Sequence, residues 1–565
     1  MEQSSHISAK LGRYESTVNA SLTTMGDKRI LPRIWAQDFT VWKPVPNEIS
    51  NRLGWLHTAE IMKDIIPHLN EFVQQVRKAG YKDALLLGMG GSSLAPRVFL
   101  KTFGRKDDCP RLSVLDTVDS DAVAAQSKLL DPAETLYIVS SKSGSTVETL
   151  SLMRYFYRNE VLSGAQEHAG NHFIAITDPK SPLEQIADHN HFRTKFLNDP
   201  NVGGRYSALS YFGLVPAALL GIDLLRLLDQ AIIAMHACET SVNLRENPGA
   251  WLGAILGELA KVGRNKVTLI TSPRIAGFGD WVEQLIAEST GKEGQGLVPV
   301  IGEPVGSPDV YGNDRLFVYM RLEGDIEYDD AVTRLEQAGQ PVVRLQLHDI
   351  YELGQQFFIW EMAVAITGHI IGINPFDQPN VESAKALARK LVSDFTSSGF
   401  LPLKEPDLLA GDVLVYGNIH GRNLNEILPE FLTKAKSGAY VAIQAYLEPS
   451  HETDKALLEI RRKIRDRYKL ATTLGYGPPY LHSTGQLHKG DAGQGLFIQI
   501  TAGDLEDIGI PDDMESPTSS ITFSLLQLAE ALGDNQALVE AGRRIIRFHL
   551  ANAPIGLNKL NEALT

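Results

Sequence analysis

Cysteine is almost missing from this sequence. Only Cys109 and Cys238 occur among 565 residues, and the opening MEQSSHISAKLGRYES has no apolar stretch of the kind a secretion signal needs, so a reducing cytoplasm is expected. Cations are also short: 54 Lys and Arg stand against 68 Asp and Glu, a formal charge of −14. That balance opposes general attraction to nucleic acid or an anionic membrane, so an anionic ligand needs a local site. Long apolar runs free of charge are lacking. The most apolar segments carry Asp223 and Arg226, or Glu361 and His369, which excludes them as bilayer spans. Low-complexity tracts and short-period repeats are missing too, and with them the solenoid architectures.

What is present is an ordinary globular composition, 43% apolar and 22% charged, in a chain too long for one hydrophobic core. Two to four domains are expected. Short apolar runs alternate with stretches of helical period, which argues for βα units around a parallel sheet. A first series holds ALLLG (84–88), RLSVLD (111–116), TLYIVS (135–140) and HFIAIT (172–177), and the helical ALSYFGLVPAALLGIDLLRLL closes it near residue 240. A second begins with KVTLITS (266–272) and continues through RLFVYMRL and PVVRLQL, with YVAIQAYL and GLFIQIT late in the chain. The first fifty or so residues, with Pro32, Pro44, Pro46 and two tryptophans, read as an irregular arm before a helix beginning near Trp55. The expected division is an arm over 1–54, a first domain over 55–240, and a second over 241–565 completed by the portion from about 400 onward.

Two strand-to-helix junctions are crowded with small and hydroxylic residues. TLYIV is followed by SSKSGST, and Val147, Leu150, Met153 and Tyr157 then keep helical spacing. Ser145-Thr146-Val147-Glu148 fits a capping box, which gives Ser145 and Glu148 a purely structural role. It leaves Ser141, Lys142, Ser143 and Thr146 unexplained. A helix N-terminus offers unpaired N–H groups and partial positive charge, and added hydroxyls and an ammonium suit the oxygens of a phosphate monoester. LLLGMGGSSLAPRVF repeats the arrangement: a strand, then Gly88, Gly90, Gly91, Ser92 and Ser93, then a helix with Pro96 in its first turn. The same glycines raise a dinucleotide reading, since Gly88-x-Gly90-x-x-Ser93 nearly matches the Rossmann fingerprint and Asp116 ends the next strand. The third glycine is missing, however, and no Walker sequence supports nucleotide phosphoryl transfer.

GMGGSS and SSKSGSTVET resemble the two phosphate-side loops of the sugar isomerase domain. Four further segments resemble the phosphoglucose isomerase family specifically: VGGRYS (202–207), EQLIAESTGKEG (283–294), NPFDQPNVESAK (374–385) and LHSTGQ (481–486). The resemblance runs from about residue 30 to the end. It is closest to the isomerase part of transaldolase and isomerase fusions, with no transaldolase part apparent. It implies two flavodoxin-like, three-layer α/β/α domains with mainly parallel sheets. The implied activity is interconversion of glucose 6-phosphate and fructose 6-phosphate, without metal or organic cofactor, by a homodimer.

Such chemistry asks for a ring opener, a base that moves a proton between carbons 1 and 2, and positive charge beside the enediolate oxygen. Glu288 is the candidate base. Its helix has apolar Phe278, Trp281, Val282 and Leu285, Gln284 lies one turn earlier on its face, and Gly291 suits a helix stop. The carboxylate then falls in the last turn, where the helix dipole disfavours its charged form. Arg205 follows two glycines; by resemblance it stabilises the enediolate, the alternative being a structural salt bridge. Lys385 shares a helix face with Val381, Ala388 and Val392, with Gln378 two turns back, and the resemblance assigns it ring opening and substrate contact. The family pattern has glycine where Asn380 stands, and asparagine tolerates positive φ. His482 is the candidate for proton exchange with the ring oxygen, with His488 as competitor; its segment usually precedes FDQP and here follows it. Phosphate is expected on Gly91, Ser92, Ser141, Lys142, Ser143 and Thr146, and the sugar near Gln284 and Gln378. A phosphosugar-binding regulator without chemistry and a nicotinamide-dependent oxidoreductase using Gly88, Gly90 and Asp116 are the other classes.

Overall fold

The computed structural model describes residues 6–165, 168–401 and 403–565; residues 1–5 of the expected arm lie outside the described residues. Up to Trp35 that arm is largely regular, and from 36 to 53 it runs through turns and bends as expected. β1 (His6–Lys10) pairs antiparallel with a strand of the second sheet, and helices Glu15–Asp27 and Ile30–Trp35 bury Val18, Leu22, Met25, Ile30, Leu31 and Ile34 in the main core. Pro32 misleads because it sits in the first turn of its helix, where a missing N–H costs nothing. The long helix expected near Trp55 runs from Thr58 to Lys78.

β2 (Asp83–Gly88), β3 (Arg111–Leu115), β4 (Thr135–Ser140), β5 (Phe173–Thr177) and β6 (Thr194–Leu197) form a parallel sheet in the order β3-β2-β4-β5-β6. β2, β4 and β5 are buried along their whole length, as continuous apolar runs require. β6, whose TKFL buries only Phe196, carries no such run and escapes a reading by apolar content. The winding is the flavodoxin-like one, with its topological switch point between β2 and β4. GMGGSS and SSKSGST leave these two neighbouring strands, with Gly88 opposite Ser140 in register.

β7 (Lys266–Thr271), β8 (Val298–Val300), β9 (Arg315–Leu322) and β10 (Val342–Leu347) repeat that winding as β8-β7-β9-β10, and β1 takes the fifth place, antiparallel. Helices Pro248–Lys261 and Leu353–Ile371 lie in the core that joins these two sheets.

The portion after residue 400 does not add strands to the second sheet. β11 (Leu408–Ala410), β12 (Val413–Tyr416), β13 (Tyr440–Tyr446), β14 (Ala471–Tyr476) and β15 (Gly495–Ala502) are followed by a ribbon of β16 (Gly509–Ile510) and β17 (Ile521–Thr522), then by β18 (Arg544–Leu550). The parallel run β14-β13-β15-β18 winds as the second sheet does, with β12 antiparallel beside β18. It has its own core around Val441, Ile443, Ile498 and Phe548. What the expected completion becomes is docking: Ala287, Val298 and Val300 of the second unit pack on Tyr440, Ala442, Leu487 and Phe497 of the third.

Two helices flank the site from the C-terminal side, Glu382–Ser398 and Phe523–Glu540. They touch backbone to backbone: a Cβ on Gly533 would lie 2.8 Å from the Ala388 nitrogen and 3.0 Å from the Ala384 oxygen. Among the described residues no helix is long and apolar enough to cross a membrane. Gly533→Val is expected to push the helices apart, cost roughly 1–3 kcal/mol and lower the thermal midpoint. Gly503→Val, which meets nothing within 4 Å, should leave the midpoint unchanged in the same scan.

Candidate active site

The loop after β2 turns through Gly90–Ser92 into the helix Leu94–Phe103. Its glycines permit contacts with two distant segments. Gly90 has φ +53°, and a Cβ there would lie 2.8 Å from the His482 carbonyl oxygen; on Gly91 it would lie 2.3 Å from that of Gly204. Ser92 is buried, and its carbonyl accepts from Ser140 Oγ at 3.1 Å.

In the loop after β4, Gly144 takes φ +66° and its N–H donates to Ser141 Oγ at 3.1 Å, while Ser141 and Thr146 hydroxyls bond at 3.1 Å. The capping box does not form. The helix Val147–Glu160 has Thr146 at its N-cap with no side-chain cap bond, and Glu148 is turned instead toward His482. Ser143, Ser145 and Thr146 therefore face a cavity of about 260 Å³, whose wall also includes Glu148, Lys385, Leu526, His482 and Glu530. Lys142 departs from expectation: its ammonium is bound by the Asp178 carboxylate and donates to Pro200 O at 3.3 Å. A part-buried carboxylate beside the next strand claims the charge. Gly91, Ser92 and Ser141 also stay off the cavity wall and brace the two loops from behind.

Glu288 lies in the last turn of the helix Phe278–Thr290, which buries Phe278, Trp281, Val282 and Leu285. Gln284 Nε2 donates to Glu288 Oε2 at 3.0 Å and to the His482 carbonyl at 2.8 Å. One amide thus ties the candidate base to the loop of the candidate ring opener, and its Oε1 is buried without a partner among the described residues. The nearest charge to Glu288 is a cation, Arg205 Nη1 at 3.1 Å from Oε1. Arg205 is 3% exposed. Its Nε donates to Ser289 Oγ at 2.8 Å, Nη1 to Gln378 Oε1 at 2.9 Å, and Nη2 to the carbonyls of Pro375 at 2.8 Å and Asp377 at 2.9 Å. The structural role and the proposed electrostatic one therefore coincide in one side chain. Lys292, which the sequence reading does not single out, grips the same loop through Asp377 Oδ1 at 2.7 Å; burial, then the Arg205 charge, brings its ammonium down to about 8.

Gln378 is not on the helix of Lys385, which begins only at Glu382; it sits in the preceding loop and faces Arg205. Asn380 is not among the positive-φ residues. Its use is different. Gln486 of HSTGQ accepts from Asn380 N at 2.8 Å and donates to Asn380 Oδ1 at 2.7 Å and Gly291 O at 2.9 Å. A side chain at 380 thus fastens the displaced histidine segment to the FDQP loop and to the end of the Glu288 helix.

His482 ends a short turn, Pro479–His482, and its Nε2 meets Glu148 Oε1 at 2.6 Å; Nδ1 makes no hydrogen bond among the described residues. Lys385 lines the same cavity, partly buried. His488 lies elsewhere, in the core between Tyr480 and Phe497 rings, 3.3 Å from Gln444 Nε2, and burial followed by the Lys489 and Arg543 charges holds it well below the usual histidine range. Asp116, the acid of the dinucleotide reading, is paired with Arg97. Glu530 escapes the sequence reading. In FSLLQLAEALGDNQ the buried polar residues Gln527, Glu530 and Asp534 recur at helical spacing, a stripe that could have exposed it.

The phosphoglucose isomerase family model matches residues 57–296. A glucose-6-phosphate isomerase of Thermus thermophilus is 30% identical over 401 residues, covering 61% of this chain and 91% of the relative. One of Rubrobacter xylanophilus is 30% identical over 427 residues, covering 66% of this chain and 94% of the relative. A solved structure of a hypothetical protein from Thermus thermophilus superposes with a TM-score of 0.57 at 27% identity, over 68% of this chain and 99% of that one. Fold and site together define a protein of the sugar isomerase class, with hydroxyl-lined loops at the switch point of a parallel sheet. The chain belongs to the phosphoglucose isomerase family.

The Glu148–His482 pair has a consequence for acid stability. Burial pushes the Glu148 carboxyl up, but the His482 imidazole and then the Lys385 ammonium outweigh it and bring it down to about 2. Because an unfolded glutamate titrates at about 4.3, the unfolded chain takes up this proton first as pH falls. The stabilisation is therefore complete above that value and lost as pH falls toward about 2. Thermal midpoints across this window should fall less steeply for Glu148→Gln than for the native chain.

Proposed function

We propose that this protein interconverts glucose 6-phosphate and fructose 6-phosphate, an aldose–ketose isomerisation through a cis-enediol. The observation that carries the reading is the Gln284 amide, which joins the Glu288 carboxylate to the backbone of His482 beside the buried Arg205. Base, imidazole and cation are held in one frame before substrate arrives, as acid–base catalysis needs.

The phosphate sits on the hydroxyls of Ser143, Ser145 and Thr146 and the free N–H groups of the helix that follows, with the Lys385 ammonium across the cavity. His482 exchanges a proton with the ring oxygen through Nδ1 while Glu148 holds Nε2. Lys385 assists ring opening. Glu288 takes the proton from carbon 2 and returns it to carbon 1. Arg205 acts on the enediolate by its field, because its N–H groups already hold Ser289, Gln378, Pro375, Asp377 and Glu288. Gln284 Oε1, unpartnered and buried, is an acceptor for a sugar hydroxyl.

The reading extends to a cytoplasmic homodimer, in keeping with two free, buried cysteines and with what the family resemblance implies. The engagement of Asp116 by Arg97 weighs against a nicotinamide enzyme, which calorimetric titration with NAD would test directly. Glu288→Gln is expected to keep sugar-phosphate binding by calorimetry and to lose about 10² to 10⁴ of turnover in an assay from fructose 6-phosphate. An unchanged rate would remove Glu288 from the mechanism, and no turnover by the native chain would leave only a binding protein.

A further inference from the structure

We propose that Glu530 is a positioning residue of this site, an acid that hydrogen-bonds Glu148 and holds it against His482. The inference rests on the isomerase reading above. Glu530 is 7% exposed and belongs to the same cavity wall as Glu148, His482 and Lys385. Its carboxyl lies beside that of Glu148 on this wall, and its Oε2 is buried with no donor among the described residues. Its helix cannot retreat, since three residues on Gly533 rests on the backbone at Ala384 and Ala388.

Two carboxyl groups in contact in a buried place share one proton, because ionising both would set like charges side by side. His482 decides which keeps the charge. Glu148, paired with the imidazole, stays ionised, while burial and then the Glu148 charge hold the Glu530 carboxyl well above the usual range. The other groups that face this pair do not change the assignment. Lys385 lowers both carboxyls; Arg389 on the same helix is turned to Glu382; Tyr446 of β13 bonds Tyr480; Asp534 on the Glu530 helix is occupied by Lys489. Glu148 is thus held between an imidazole and a carboxylic acid. When Glu530 loses its proton at high pH, two carboxylates repel and the imidazole loses its brace.

The experiment compares kcat and kcat/KM against pH, from fructose 6-phosphate, for the native chain, Glu530→Gln and Glu530→Ala. Glutamine keeps a donor but has no proton to lose. Its kcat at neutral pH should stay within about threefold of native while the alkaline limb of the profile disappears. Alanine removes the donor and should cost about tenfold or more in kcat with little change in KM. A Glu530→Gln profile that overlays the native one, or an Ala variant with native kcat, overturns the proposal. Infrared spectra give a readout that needs no turnover: the native-minus-Gln difference should contain one protonated-carboxyl band, and a difference without it also overturns the proposal. Absence of isomerase activity in the native chain would instead sink the functional reading, with the carboxyl assignment decided by that band.

Discussion

A carboxylate and an imidazole 334 residues apart in the chain meet at 2.6 Å in the contact between Glu148 and His482. Glu148 is buried, and a buried charge without a partner is among the costliest defects a fold can carry. Its partner comes from a loop of the third sheet unit, and the helix it begins belongs to the first. That contact forms only when those units are docked, so the condition for a stable interior is also the condition for an assembled site.

Backbone shape makes that docking possible. Gly90 and Gly91 let the β2 loop touch the segments of His482 and Arg205, and a Cβ on Gly291 would lie 2.3 Å from Leu487 Cα. These are close approaches between main chains, where any side chain would hold the segments apart. Polar side chains then fix the register: Arg205 over the Pro375–Asp377 carbonyls, Gln284 on His482 O, Gln486 on Asn380 and Gly291. Each spans two segments, so removal of one leaves buried donors or acceptors on both sides.

Much of this is legible in the sequence where the signal is local. Strands buried on both faces declare themselves as apolar runs, and ALLLG, TLYIVS, KVTLITS and YVAIQAYL are all strands. Short edge strands such as His6–Lys10 and Thr194–Leu197 do not, because their pairing is decided by the neighbour they find. The same divide runs through the site. Motif residues Glu288, Arg205, Gln284, Gln378, Lys385 and His482 are drawn into one region, although the family model ends at residue 296, before the last three. Composition does not say which way a turn residue points, and so Lys142 reads as a phosphate ligand when Asp178 claims it, and Glu148 as a cap when His482 does.

The displaced histidine segment shows what chain order constrains and what it does not. LHSTGQ lies between β14 and β15, in a sheet unit that winds as the second does but has its own core. It makes three contacts here, with Gly90, with Gln284 and with Glu148, none of which depends on the direction or distance from which the chain arrives. What does depend on it is the anchor. A loop delivered from a separate unit must be tied down on arrival, and Asn380 supplies both a backbone and a side-chain partner for Gln486, where glycine would supply only the first.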